Sequence, residues 1–140
     1  MFWDSSALVP TLMPAHELAS LISILRADGD PTLWWGSPLE CQSAIYRRQR
    51  DARWPVRFRD EALQRLAMLI EDTDIVEPTL GLRDRASRLL ATHPLRAGDA
   101  LQLAAALIWC REAPQETAFV CLDVRLRDAA RAEGFDLLPA

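Results

Sequence analysis

MFWDSSALVP, residues 1–10, passes within four positions from an apolar pair, Phe2-Trp3, to an acid, Asp4, and then to Ser5-Ser6. Phe2-Trp3 suits a buried strand, while Asp4, Ser5 and Ser6 accept hydrogen bonds from the free N–H groups of a helix start. The stretch therefore reads as a strand that ends on a carboxylate and turns into a helix. Taken alone, Asp4 is an ordinary N-cap. The pattern recurs at Ala118-Phe119-Val120-Cys121-Leu122, the clearest strand of the chain, which also runs into an acid, Asp123.

Between these two stretches short apolar runs alternate with amphipathic segments, with no internal repeat or low-complexity tract. Pro14-Ala15-His16-Glu17 opens a helix with Leu18, Leu21, Ile22 and Leu25 on one face, ending near Asp28-Gly29. Leu33-Trp34-Trp35 is the second strand. Ser37-Pro38-Leu39-Glu40 has Pro at the first helical position and an acid in the first turn, and starts a helix running to about Asp51. Pro55 separates it from a helix over Arg57 to Glu71. Ile75-Val76 is a short strand or turn, followed by a helix from Leu80 to Ala91. Gly98-Asp99 opens an Ala/Leu-rich helix so apolar on all sides that it belongs deep in the core. A last helix, Leu126 to Glu133, precedes Gly134 and a terminal strand, Phe135 to Leu138. Continuous apolar strands alternating with helices predict an α/β fold, a mostly parallel sheet covered on both faces, in one domain over residues 1–140.

Composition agrees with this and excludes several classes. Half of the 140 residues are hydrophobic and 26% are charged, as in a globular domain able to bury its own core. No apolar run approaches the roughly 18 residues of a membrane span, and Met1 leads into no basic signal segment, so a cytoplasmic protein without membrane contact is expected. Cys41, Cys110 and Cys121 are odd in number and widely spaced, without a CxxC pair, and read as reduced structural thiols. All sixteen basic residues are arginine.

In parallel sheets ligands gather at the carboxyl ends of the strands. Asp4 and Asp123 stand at such ends, Glu40 opens the helix that follows a strand, and Asp99 opens the apolar helix. Each has a structural reading: Asp99 and Asp123 as caps, Glu40 as a complement to a helix dipole. Together they are a different matter, because four carboxylates brought close repel one another unless a cation neutralises them. Hard oxygen donors suit Mg²⁺, or Mn²⁺ in its place, and not zinc. Such metal sites support phosphodiester hydrolysis.

The ordered set Asp4-Ser5-Ser6-Ala7-Leu8-Val9, Leu39-Glu40, Gly98-Asp99-Ala100-Leu101-Gln102-Leu103-Ala104-Ala105-Ala106 and Phe119-Val120-Cys121-Leu122-Asp123 with Leu126 resembles the PIN-domain family, and within it the VapC-type toxin ribonucleases. The resemblance implies a three-layer α/β/α sandwich, a Mg²⁺-dependent endoribonuclease and a cognate antitoxin protein that blocks the site. It assigns Asp4, Asp99 and Asp123 as principal metal ligands, Glu40 to a second ion or its water shell, and Ser6 to orienting a ligand or water. A metal-activated water would then leave a 5′-phosphate and a 3′-hydroxyl. Two positions depart from the pattern: Cys121 stands where the family commonly has Ser or Thr, and Gln102 where it often has His. Apolar residues around Leu8-Val9, Leu12-Met13, Leu82, Leu89 and Leu90 add the expectation of a symmetric homodimer.

Six arginines, Arg47, Arg48, Arg50, Arg53, Arg57 and Arg59, crowd around Trp54 and Pro55 in a chain of net charge −4. Arg47, Arg48, Arg50 and Arg53 with Trp54 are expected to meet the RNA, pairing phosphates and stacking on a base. The competing reading is a solvated helix face paired with Asp51, Asp60 and Glu61. Other classes fit less well. A phosphate-receiving signalling domain wants a lysine that this chain lacks, and a haloacid-type phosphatase wants an acid where Ser6 stands. A noncatalytic PIN scaffold that binds protein or RNA remains the alternative.

Overall fold

In a computed structural model, which describes residues 1–13 and 19–140, the chain folds around a five-stranded, all-parallel sheet. The elements run β1 (Phe2–Trp3), α1 (Ser5–Leu12), α2 (Ala19–Ala27), β2 (Thr32–Trp34), α3 (Ser37–Asp51), α4 (Val56–Glu71), β3 (Asp74–Val76), α5 (Leu80–Thr92), α6 (Ala97–Trp109), β4 (Ala118–Val120), α7 (Val124–Glu133) and β5 (Asp136–Leu138). The expected helix start at Pro14-Ala15-His16-Glu17, with Leu18, lies outside the described residues. Strand order is β3-β2-β1-β4-β5, with Phe2 opposite both Thr32 and Phe119 and Trp3 opposite Val120.

Successive strand residues point to opposite faces, and this splits the core in two. Phe2, Trp34 and Phe119 belong to one apolar cluster with residues of α5, α6 and α7. Their neighbours Trp3, Leu33 and Val120 belong to the other, with residues of α1, α2, α3 and α4. The central strands β1, β2 and β4 are largely buried without alternation because neither of their faces meets water, whereas the edge strands β3 and β5 each begin on an exposed aspartate. The result is the expected three-layer sandwich. Each fully buried large side chain, such as Phe2, Phe119 or Leu33, contributes about 1.5–3 kcal/mol.

Helix α6 is the innermost helix: Ala100 and Gln102 through Leu107 are buried, as its run of alanines foreshadows. Small side chains let it lie close to both the sheet and α5. The second strand is set one residue earlier than the apolar run Leu33-Trp34-Trp35 implies. Thr32 pairs with Asp74 and is buried, whereas the Trp35 backbone N–H donates to the Val76 carbonyl as the chain turns and its ring is 56% exposed.

The apolar residues behind the homodimer expectation have another use here. Leu8, Val9, Leu12, Met13, Leu82 and Leu89 are all buried in the chain's own core, and of that set only Leu90 is exposed. The buried six therefore offer no surface to a second copy, because α1 and α5 are short helices pressed onto a sheet that needs both of its faces covered. Among the described residues no helix is long and apolar enough to cross a membrane, and the three cysteines are free thiols.

Candidate metal-binding cleft at the sheet edge

The strand order places a topological switch between β1 and β4, since the chain leaves β1 toward β2 and β3 and comes back on the other side to β4 and β5. Crevices of this kind open at the carboxyl ends of the two central strands. Asp4 leaves β1 there, its backbone N–H donating to the Val120 carbonyl at 2.9 Å. It is the N-cap of α1: its Oδ2 accepts from the Ser6 backbone N–H at 2.9 Å. The same oxygen lies 3.6 Å from the Cys121 thiol, a weak donor, and the carboxyl is buried. The Ser6 hydroxyl oxygen accepts from the backbone N–H groups of Leu122 at 2.9 Å and Asp123 at 3.2 Å, fastening the first turn of α1 to the exit of β4. Asp123 in turn caps α7, accepting from the Leu126 N–H at 2.9 Å.

Glu40 reaches the cleft from the first turn of α3. Ahead of it the chain passes tightly over β2, and a Cβ at Gly36 would sit 2.6 Å from Nε1 of the Trp34 indole, so only glycine leaves the ring its place. The Gln102 side-chain amide donates to Glu40 Oε2 at 2.9 Å and to the Ser37 hydroxyl at 2.9 Å. Gly98 brings the start of α6 against the same carboxylate, with room for a Cβ 3.9 Å from Glu40 Oε1. Asp99 follows directly, its Oδ2 accepting from the Arg96 backbone N–H at 3.3 Å. Beside Glu40 lies a cleft of about 550 Å³ lined by Ser5, Ser6, Leu39, Glu40, Ser43, Ala44 and Arg47.

All four acids are thus also caps or first-turn residues, so their structural and chemical readings coexist. They are not drawn equally together. The charge on Glu40 reaches Asp4, Asp123 is tied to Asp4 through Ser6, and Asp99 is held by its own helix. Burial, chiefly, raises the Asp4 carboxyl above its ordinary range, helped by the charge on Glu40 and opposed by the bonds from Ser6. Burial also pushes the Cys41 thiol up to about 12, with the charges of Asp4 and Glu40 adding to it, and raises Cys121 through burial and Asp4. At neutral pH both thiols stay protonated, so the donors on offer are carboxylate oxygens.

Among the described residues no three His, Cys, Asp or Glu side chains form a ready-made metal cluster. Asp4 within reach of the charge on Glu40, with Asp99 and Asp123 on two further helix starts, is nevertheless a donor set whose chemistry suits a hard divalent cation. Cys121 keeps the place of a hydroxyl, 3.7 Å from the Ser6 oxygen, but as a longer and weaker partner of Asp4. Sequence reasoning noticed Gln102 and Cys121 only as departures from a pattern. The signal that would have found Gln102 is its place one turn after Asp99 on an otherwise apolar helix, where a buried amide needs partners.

The arginine patch is spread over the end of α3 and the start of α4. Helix α3 closes with Arg53 in the left-handed conformation (φ 51°) and the Trp54 N–H donating to Gln49 O, a Schellman-type ending. Trp54 is half-buried against the α1–α4 core, so part of its ring holds the turn. Arg59 is paired with Asp60 and lies over the Tyr46 ring, and Arg57 lies over Phe58. Arg47 is the member of the patch that lines the cleft, two turns along α3 from Glu40.

No family model matches the chain, and no curated protein matches it. Among solved structures it is similar to a toxin-antitoxin complex from Klebsiella pneumoniae, with a TM-score of 0.64 at 14% identity, over 89% of this chain and 87% of that one. At that identity the likeness is one of fold, and the three-layer α/β architecture with its central parallel sheet is what the two chains share.

Proposed function

We propose that the chain is a divalent-metal-dependent endoribonuclease of the PIN type, acting as the toxin of a toxin–antitoxin pair. The observation that carries this reading is the buried carboxylate of Asp4, within reach of the charge on Glu40, at the switch point of a parallel sheet. Burying a carboxylate is costly unless something positive compensates it. Among the described residues Asp4 has no ion pair, so a bound cation is the natural complement.

In this reading Asp4, Asp99 and Asp123 hold Mg²⁺, or Mn²⁺, with Glu40 on a second ion or its water shell. When bound, the metal supplies an acidified water and shields charge developing on the phosphate. The protein's own part is positional. Ser6 keeps the β4 exit against α1, which sets the spacing of Asp4 and Asp123, and Arg47 offers a guanidinium to a phosphate beside Glu40. Arg47, Arg48, Arg50 and Arg53 extend that contact along the RNA outside the acids. The fold shared with a chain of a toxin-antitoxin complex supports an antitoxin protein as a partner. Self-association belongs to the same reading, but rests on the exposed Leu80 and Leu90 of α5.

Cleavage-site mapping on total cellular RNA, with Mg²⁺ added or chelated, tests it. Wild-type protein should cut only with the metal, and Asp4→Asn should not cut. Metal-independent cutting, or equal cutting by Asp4→Asn, would remove the assignment. Tight RNA or protein binding with no cleavage under any metal would favour the noncatalytic scaffold.

A further inference from the structure

We infer that Gln102 is a positioning residue that aims the Glu40 carboxylate into the cleft, with Ser37 anchoring the amide from its other side. The inference rests on the reading of Glu40 as an acid of the metal site. Three observations lead to it. Gln102 and Ser37 are both buried, Gln102 being the one polar side chain on the buried part of α6 beyond its first turn. Its Nε2 donates at 2.9 Å to Glu40 Oε2 and at 2.9 Å to Ser37 Oγ, and Ser37 Oγ also lies 3.3 Å from Gln102 Oε1. Glu40 itself is only half-buried, on a flexible side chain at the rim of the cleft.

The chemistry of an amide fits the task. A carboxylate accepts and does not donate, so the nitrogen of Gln102 must face Glu40 and the oxygen must face away. Ser37 can serve both the nitrogen and the oxygen of the amide, so it anchors the side chain while the carboxylate of Glu40 sets which way the amide faces. Holding Oε2 this way leaves Oε1, the oxygen beside Gly98, as the one presented toward the start of α6. A lysine or arginine in place of Gln102 would also hold Glu40, but would neutralise the charge that a cation is to meet. An uncharged donor orients the acid and leaves its charge intact. Partners of this kind typically change metal affinity or activity by about 10–100-fold when removed.

The test is a double-mutant cycle on Mn²⁺ affinity, measured by calorimetry on the full chain, alongside RNA cleavage. Gln102→Met keeps the length and loses the donor, and should weaken Mn²⁺ binding about 10-fold. In a Glu40→Gln background the same change should have no further effect, because Gln102 acts through Glu40. As Gln102→Met strands the Ser37 hydroxyl in the core, Ser37→Ala/Gln102→Met removes both partners together and should fold while binding Mn²⁺ as weakly as Gln102→Met. In metal-free protein the Gln102 side-chain ¹⁵N–¹H₂ signals should shift on Glu40→Gln, which reads the contact itself without metal or activity. If Glu40→Gln leaves Mn²⁺ affinity at wild type, the assignment of Glu40 to the metal site falls and the positioning role with it. If Glu40→Gln weakens binding but the Gln102 and Glu40 effects simply add, Glu40 stands and the positioning role is overturned.

Discussion

Asp4 and Glu133 are two partly or wholly buried acids in one small protein, and their surroundings treat them oppositely. Glu133, at the end of α7, is pulled below its ordinary range: burial works against the charge, but hydrogen bonds from His93 at 2.7 Å and Arg85 at 3.0 Å prevail. Arg85 also forks onto Glu112, which raises its own pKa in turn. That acid is complete within the chain. Asp4 is more deeply buried and receives a backbone N–H and a thiol, with a second acid beside it. Glu133 is given an arginine and a histidine side chain as partners, and among the described residues Asp4 is given no basic one. The contrast separates an acid paired within the chain from one that, among the described residues, has no ion pair.

Breaking the Asp4 side should have the largest effect. Asp4→Asn keeps a good N-cap for α1 while removing the charge, so cleavage of RNA should fall on the order of 100-fold or more as the metal is lost. The metal-free variant should meanwhile melt at or above wild type, since the charge that opposes burial is gone. A variant that loses activity only because its melting temperature drops would erase the distinction between the two acids.

RNA binding away from the acids comes next. Arg47→Gln/Arg50→Gln/Arg53→Gln should weaken RNA binding and flatten its dependence on log salt by about 0.7 for each single-strand phosphate that is no longer neutralised. Filter binding across a salt series measures this, and Mn²⁺ affinity should not move. An unchanged affinity and slope would return these arginines to a solvated helix face.

On the Glu133 side the effect should be on stability alone. Glu133→Gln should cost about 1 kcal/mol by urea unfolding, a value kept small by solvent screening of a network that reaches the surface. RNA cleavage should be unaltered.

The smallest effect is in the pH dependence of metal-free stability, where the two acids have opposite signs. Asp4 has a raised folded pKa, so its favourable contribution is complete below its ordinary 3.8 and is lost as pH rises through the folded value. Glu133 has a lowered one, so its contribution is complete above its ordinary 4.5 and is lost as pH falls through the folded value. Relative to wild type, Asp4→Asn should therefore gain stability as pH rises from about 4, and Glu133→Gln should lose it over the climb to about 4.5. Parallel unfolding curves from pH 3 to 7 read both slopes, and slopes of the same sign would dissolve the comparison.

Much of this fold was legible in residue order. Phe2-Trp3 before Asp4, Ala118-Phe119-Val120 ahead of Asp123, and Pro38 opening a helix are local signals, because strand burial, capping and the proline φ angle act over a few residues. The alternation of these elements then implies parallel strands with both faces covered. Where the reading slipped, a long-range term decided. Trp35 is as apolar as Leu33, yet the register of β2 with β3 starts the strand at Thr32 and leaves Trp35 in the turn. Leu8, Leu12, Leu82 and Leu89 look like spare apolar surface until the two-sided sheet claims them.

By itself the sequence determined which acids stand at strand ends and helix starts, since an acid there is favoured by the free N–H groups of the turn it begins. Only the tertiary structure decided how those acids differ. The charge on Glu40 reaches Asp4, Asp99 is held by its own helix, and Glu40 is aimed by an amide 62 residues further along the chain. Burial, charge and hydrogen bonding among residues far apart in sequence depend on the packing of three layers, and no local pattern encodes them.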